Sequence, residues 1–372
     1  MKKSSLLFLP LLFLLQPLAA GSESALLNLP LPENGLRFTQ TADLERQWPS
    51  AHGQAHVCLW KDDKFAPISI TIDDNNAPDI PFWREASATY GWKFTWFVIV
   101  HPYMWDIYAD QRGNNTSYFG TAEDFKVLHE EGHEIALHGN CKAMNELGAE
   151  DYALHADRSK AHLEGVIGQR ILTYAYPCGK SGGSGGVSYR DIIAERMIAA
   201  RGTAGGATSP VIVDYLSTNS MGGSIKPQFW GKMHQNRGNL RYSRYRGWAV
   251  FLFHKVHPEG ATALFDRLKA EEDNYWIAPF SEVARYAQER ESSSVDVTLV
   301  EPERIDFELS DRMDDALFDI PLTVKLRVDG WSTVKAAQGS ELIPARLVEH
   351  EGATYALVDA VPDRGTVSVR EH

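Results

Sequence analysis

The chain has 372 residues, 44% of them apolar and 23% charged, the balance of a folded protein with more than one core and not of a disordered or fibrous one. Its 49 acidic against 37 basic side chains leave a net charge of −12, which argues against nucleic acid as a partner. Three cysteines, Cys58, Cys141 and Cys178, are too few for a disulfide scaffold.

The chain opens with Lys2 and Lys3, an apolar run over residues 6–15, and the small residues Ala19, Ala20 and Gly21. That run is too short to span a bilayer, and residues 1–20 read as a cleaved secretory signal. No Cys follows it for lipid attachment, and no later segment is long and apolar enough to cross a membrane, so an exported protein, periplasmic or extracellular, is expected. Residues 21–65, broken by Pro30, Pro32 and Pro49, read as an extension packed on the main domain. Pro67–Ile72 is a β-branched strand that ends in Asp73-Asp74, and a helical stretch around Trp83–Tyr90 leads to a second buried strand over Lys93–Val100. Overlapping glycosylation sequons stand at Asn114 and Asn115. Thr121, followed by Glu123 and Asp124, has the form of a helix N-cap. Further strands are predicted at Glu134–Leu137, Arg170–Tyr176, Met197–Ala200, Trp248–Phe253 and Tyr275–Ala278. This alternation indicates a parallel sheet with covering helices, closed or partly closed. Gly182–Gly186 is a flexible loop without the Lys-Ser/Thr ending of a phosphate cradle. Ser292-Ser293-Ser294 reads as a linker, so truncation after Arg290 is expected to leave a soluble barrel. Period-two alternation beyond the linker predicts a small antiparallel β-sandwich over 295–372.

Four stretches carry chemistry: Thr71–Asn75, Gly132–His138, Tyr174–Gly179 and Val250–His254. Each follows or ends a strand-length apolar run, the position at which α/β barrels place their active sites. Adjacent side chains on a strand point to opposite faces, so Asp73 and Asp74 can do different work. His133 begins its strand, at the far end from the site, and reads as structural. Its spacing to His138 is not the i, i+4 helical pair of a zinc protease.

These motifs resemble the polysaccharide deacetylases of the NodB-homology type (carbohydrate esterase family 4-like), over roughly residues 66–290. The resemblance implies a distorted, partly closed (β/α) barrel of α/β class as a deacetylase domain over 66–291, followed by the sandwich. It implies Asp73 as general base, Asp74 and His138 as ligands of a divalent metal such as zinc, and His254 as the acid that protonates the leaving group. Metal-bound water would be the nucleophile. Imidazole suits the acid role because it titrates near neutrality. Tyr176, Cys178, Asp214 and Trp276 are candidates for the substrate wall, with the Cys178 backbone N–H as an oxyanion donor and the Trp276 ring either stacking on a sugar or filling the rim. His257 reads as a loop residue.

Two positions depart from the family pattern. Lys142 stands where a second metal His is usual, and an ammonium has no lone pair to donate. Catalytic zinc takes three protein ligands, so Asn140, Asn145, His155 and His162 are candidates for the third. Ala175 replaces the Arg that usually orients the base. Cys141 and Cys178 both lie beside motifs; they either bridge there or are, with Cys58, buried thiols.

The reading that follows is an exported, metal-dependent hydrolase acting on an acetylated carbohydrate through an N- or O-linked acetyl group. Its rivals are a non-catalytic carbohydrate-binding protein on a degenerate deacetylase fold, and an amidase acting on a non-sugar amide.

Overall fold

The structure, a computed structural model, describes residues 25–30, 44–100, 119–212, 214–222, 230–231, 233–234 and 244–372. The signal expected over 1–20, the sequons at Asn114 and Asn115, and the side chain of Lys142 lie outside the described residues.

The main body is a curled parallel sheet built from β2 (Ala66–Asp73), β3 (Thr95–Ile99), β4 (Glu134–His138), β5 (Thr173–Ala175), β6 (Ala199–Arg201), β7 (Met221–Gly222), β8 (Ala249–Phe253) and β9 (Tyr275–Ile277). Its order is β6-β5-β4-β3-β2-β8-β7, with β9 paired to β2. Ile68 of β2 pairs with Ala249 on one edge and with Ile277 on the other, so β9 lies beside the N-terminal half of β2 and β3 beside its C-terminal half. An isolated parallel bridge between Arg201 and Thr218 brings the approach to β7 against β6, which draws the two edges of the sheet together.

β2 is buried along all eight residues, which is why it reads as a continuous apolar run. Ile68, Ile70 and Ile72 belong to one buried apolar cluster with Trp83 of α1 (Ile80–Tyr90) and Phe265 of α6 (Pro258–Ala270). Burial of each such side chain contributes roughly 1.5–3 kcal/mol. The alternate residues face inward: Ser69 accepts from Trp248 Nε1 at 3.0 Å, and Thr71 donates to the Phe251 carbonyl at 3.0 Å. The helices between strands are α2 (Ala122–Glu130), α3 (Cys141–Met144), α4 (Ala149–Ile167) and α5 (Tyr189–Ala194). Thr121 caps α2 in a capping box with Asp124, as the residue order predicts.

After α7 (Phe280–Ser292), two antiparallel sheets form the sandwich. One has the order β10-β11-β17-β13-β14, with β10 (Ser294–Glu301), β11 (Arg304–Ser310), β13 (Lys335–Gln338), β14 (Glu341–Ile343) and β17 (Val367–Arg370). The other has β12 (Leu322–Arg327), β15 (Ala345–His350) and β16 (Ala353–Ala360), and its edge strand is β1 (Ala55–Val57) from the N-terminal extension. Val57 pairs with Val324, so the extension completes the C-terminal sheet as well as lying near the barrel. One apolar cluster runs unbroken from Phe97 and Val250 inside the barrel, through Phe280 and Tyr286 of α7, to Ile305, Val324 and Val367 of the sandwich.

Candidate active site

Asp73 ends β2 with its carboxylate 2% exposed. Beyond it the strand breaks: Asp74 and Asn75 take positive φ values of 62° and 53°. Asn75 tolerates that conformation and ties the turn to β3, donating Nδ2 to the Ile99 carbonyl at 3.2 Å and accepting its N–H at 2.8 Å. This left-handed step corrects the expectation that the two acids diverge. His138 Nε2 lies 3.7 Å from Asp73 Oδ2 and 3.5 Å from Asp74 Oδ1, so both carboxylates face the same imidazole.

His138 is at the C-terminal end of β4, and its Nδ1 is 2.8 Å from the Ala175 carbonyl. A carbonyl only accepts, so Nδ1 carries the proton and the Nε2 lone pair faces the two acids. Three acceptors converging on one point repel unless a proton or a cation lies among them. Burial disfavours the charged imidazole, yet Asp73 and Asp74 outweigh it and raise the His138 pKa above its usual value. Burial likewise works against ionised Asp74, but His138, His254 and Arg201 together hold its carboxyl below the ordinary range. His254 follows β8 with its side chain 59% exposed, and its Nε2 is 3.7 Å from Asp74 Oδ2. Asp74 is thus flanked by one imidazole at each oxygen.

The donor set fits a divalent cation: Asp74 and His138 would hold it, with the proton of His138 fixed on the far nitrogen by a backbone carbonyl. Among the described residues no set of three His, Cys, Asp or Glu ligand atoms within 4.8 Å of one another includes this pair. The one such set among them is Asp311, Asp315 and Asp363, in the sandwich region. Asn145 directs its amide to Cys141 Sγ at 3.4 Å, and His162 is exposed on α4.

Arg201, which sequence reading missed, completes the rim. It ends β6 directly across from Ala175 in the parallel register, is 1% exposed, and ion-pairs through Nη2 with Asp73 Oδ1. Its guanidinium lies 4.5 Å from the centre of the Phe97 ring, and Phe97 is the register partner of Asp73. Ala136 and Ala175, small and fully buried, leave the barrel interior open to that long side chain. The signal in the sequence was faint: the apolar run Met197–Ala200 stops one residue before a lone Arg.

Several proposed wall residues lie elsewhere. Tyr176 is 1% exposed and packs edge-on against Tyr174 in the outer core, which removes it from any substrate surface. Asp214 binds Arg190 through both oxygens at 2.7 and 3.0 Å and also accepts the Leu216 N–H. Its carboxylate is therefore taken by a structural pair. Trp276 is 9% exposed, contacts Tyr286, and is the register partner of Pro67, six residues before Asp73. At roughly 3.3 Å per residue that is about 20 Å from the site, at the opposite end of the strands. The period of the run carries no information on which end of the barrel a strand residue occupies.

Cys178 is exposed at the rim, has φ of 53°, and is joined to Cys141 by a disulfide with Cα atoms 5.5 Å apart. Cys58 is the free, buried thiol, and burial raises its pKa above the usual range. The bridge ties the segment after His138 to the Pro177–Gly179 turn. Gly139 marks how closely they approach, since a Cβ there would meet Pro177 Cδ at 2.8 Å. His133 accepts the Phe94 N–H at 3.0 Å and is 2% exposed, and burial drives its pKa down to about 4, a neutral core residue.

Residues 61–186 match the family model described as polysaccharide deacetylase. The chain is 34% identical over 374 residues to a gellan lyase of a Bacillus species, covering 92% of this chain and 14% of that much longer protein. Among solved structures it resembles a polysaccharide deacetylase of Mycobacterium smegmatis, at 14% identity and TM-score 0.41 over 64% of this chain and 95% of that one. It also resembles the peptidoglycan deacetylase of Bacillus subtilis, at 14% identity and TM-score 0.36 over 60% and 91%. A third is a CE4 family pseudoenzyme of Bacillus anthracis, at 13% identity and TM-score 0.38 over 60% and 66%.

Proposed function

We propose, from the match of residues 61–186 to the polysaccharide deacetylase family model, that this chain is an exported, metal-dependent hydrolase releasing acetate from an acetylated carbohydrate. The observation that carries the reading is the convergence of Asp73, Asp74 and the His138 lone pair at the C-terminal end of the parallel strands.

A divalent cation, zinc being the natural choice for one nitrogen and one oxygen donor, would acidify a coordinated water and polarise the acetyl carbonyl when held by Asp74 and His138. Asp73 takes a proton from the attacking water as the new C–O bond forms. Arg201 aims that carboxylate through their ion pair, the part Ala175 cannot play. His254, exposed beside Asp74, gives its proton to the departing nitrogen or oxygen as the acyl bond breaks. The Cys141–Cys178 disulfide supports the oxidising, extracytoplasmic location to which the N-terminal signal points. Among the described residues no helix is long and apolar enough to cross a membrane.

The binding-protein alternative rests on Lys142 and Ala175, and the Arg201–Asp73 pair weakens the second of these grounds. Acetate release over a panel of N- and O-acetylated glycans, with and without chelator, tests the reading. No release from any glycan, with or without added zinc, would refute it; ammonia in place of acetate would favour an amidase.

A further inference from the structure

We propose that Asn76 and Asp79 are positioning residues that clamp the turn carrying His254. Neither belongs to the motifs read from the sequence, and the proposal rests on the reading of His254 as the proton donor. Asn76, 3% exposed, uses both hydrogens of its amide: Nδ2 donates to the His254 carbonyl at 2.8 Å and to Asp79 Oδ2 at 2.5 Å. The same oxygen of Asp79 accepts the Val256 N–H at 2.7 Å. The His254–Val256 turn is therefore gripped at two backbone positions by one side-chain bridge springing from the loop after Asp74. Among the described residues the imidazole approaches Asp74 Oδ2, and its side chain is 59% exposed. A half-exposed ring on a turn is aimed by its backbone, so the bridge sets where the proton is delivered. It also couples the β8 rim to the β2 rim. The Asn suits this place because an amide offers two hydrogens on one nitrogen to two acceptors without bringing a charge.

The test uses the zinc-loaded full chain with two probes whose leaving groups need a proton, an O-acetylated sugar and an acetylated chitooligosaccharide. Asn76→Ala and the isosteric Asn76→Asp, which turns both donors into acceptors, should each lower kcat by about 10- to 100-fold with little change in KM, the cost of misplacing a catalytic group by about an ångström. In a His254→Ala background the same changes should have no further effect, because the bridge acts only through that ring. Asp79→Asn, which retains an acceptor oxygen, should be milder than Asp79→Ala. An equal loss in the His254→Ala background, or no loss in the wild-type one, overturns the proposal. If the wild-type protein hydrolyses neither probe, the reading of function is at fault, and the clamp is read from the His254 ring resonances instead. Asn76→Asp should shift and broaden them while leaving those of His138 in place; unchanged His254 signals overturn the proposal.

Discussion

The buried guanidinium of Arg201 is ion-paired with the buried carboxylate of Asp73, 128 residues away in the chain. Removing one partner strands the other without solvent. Arg201→Met should therefore destabilise the protein by about 3–5 kcal/mol, while the double change Asp73→Asn with Arg201→Met should cost less than Arg201→Met alone. Chemical denaturation of the two variants and the wild type checks this. Equal costs for the single and double variants would mean that the pair is not what holds Arg201 inside the barrel.

Asp73→Asn and His254→Ala should each lower acetate release by on the order of 10²–10⁴-fold. Asp73→Asn keeps the shape of the side chain but not the base. Zinc content, measured on the purified variants, should stay with the wild type for Asp73→Asn and fall for Asp74→Ala and His138→Ala. Retention of the metal in both of the latter would remove those residues from the site.

The Cys141–Cys178 bridge closes a loop between residues 37 apart. Loop-closure entropy for that separation is on the order of 3–4 kcal/mol, an upper figure where native contacts already restrain both ends. Replacing both cysteines by serine should lower the unfolding midpoint and also slow turnover, since the bridge joins the segment after His138 to the Pro177 turn. A stability loss with unchanged kcat would restrict the bridge to a structural part.

Glu289 is fully buried on α7, with one oxygen on the Ile320 N–H at 3.2 Å and the other without a partner among the described residues. Burial, with Asp311 nearby, raises its pKa from 4.5 to about 9. The native state therefore holds a proton that the unfolded chain releases above pH 4.5, and stability should fall as pH rises from 4.5 toward 9. Glu289→Gln should flatten that slope and stabilise the protein most at the alkaline end. Parallel pH–stability curves for the two proteins would show that Glu289 is ionised in the fold.

Truncation after Arg290 should give an insoluble product, contrary to what the serine run implies. It would strip β12 from β1, the Thr323 carbonyl from the Cys58 N–H, and the sandwich side chains from the cluster that includes Tyr286. A soluble, cooperatively unfolding fragment would show that the barrel core closes by itself.

Much of the fold was legible in sequence because the information is local. Buried parallel strands appear as apolar runs, Thr121 and Asp124 announce a helix start, and the residues at the C-terminal ends of β2, β4 and β8 mark a rim. The convergence of Asp73, Asp74, His138 and His254 followed from those strand ends once the strands lay parallel in one sheet.

What only the tertiary structure decided are relations between distant segments. Arg201 reaches Asp73 because β5 and β6 pair in a register that sets it opposite Ala175, and register is a property of two strands. Trp276 falls at the wrong end of the barrel because β9 pairs with the start of β2 and not its end. The choice between free and paired thiols for Cys141 and Cys178 depended on how near α3 comes to the Pro177 turn. The extension joined the sandwich sheet because β12 presented an edge whose open hydrogen bonds β1 could satisfy. Residue identity and order determined the elements and the chemical groups at their ends; the contacts that align those groups arise only when the strands close on one another.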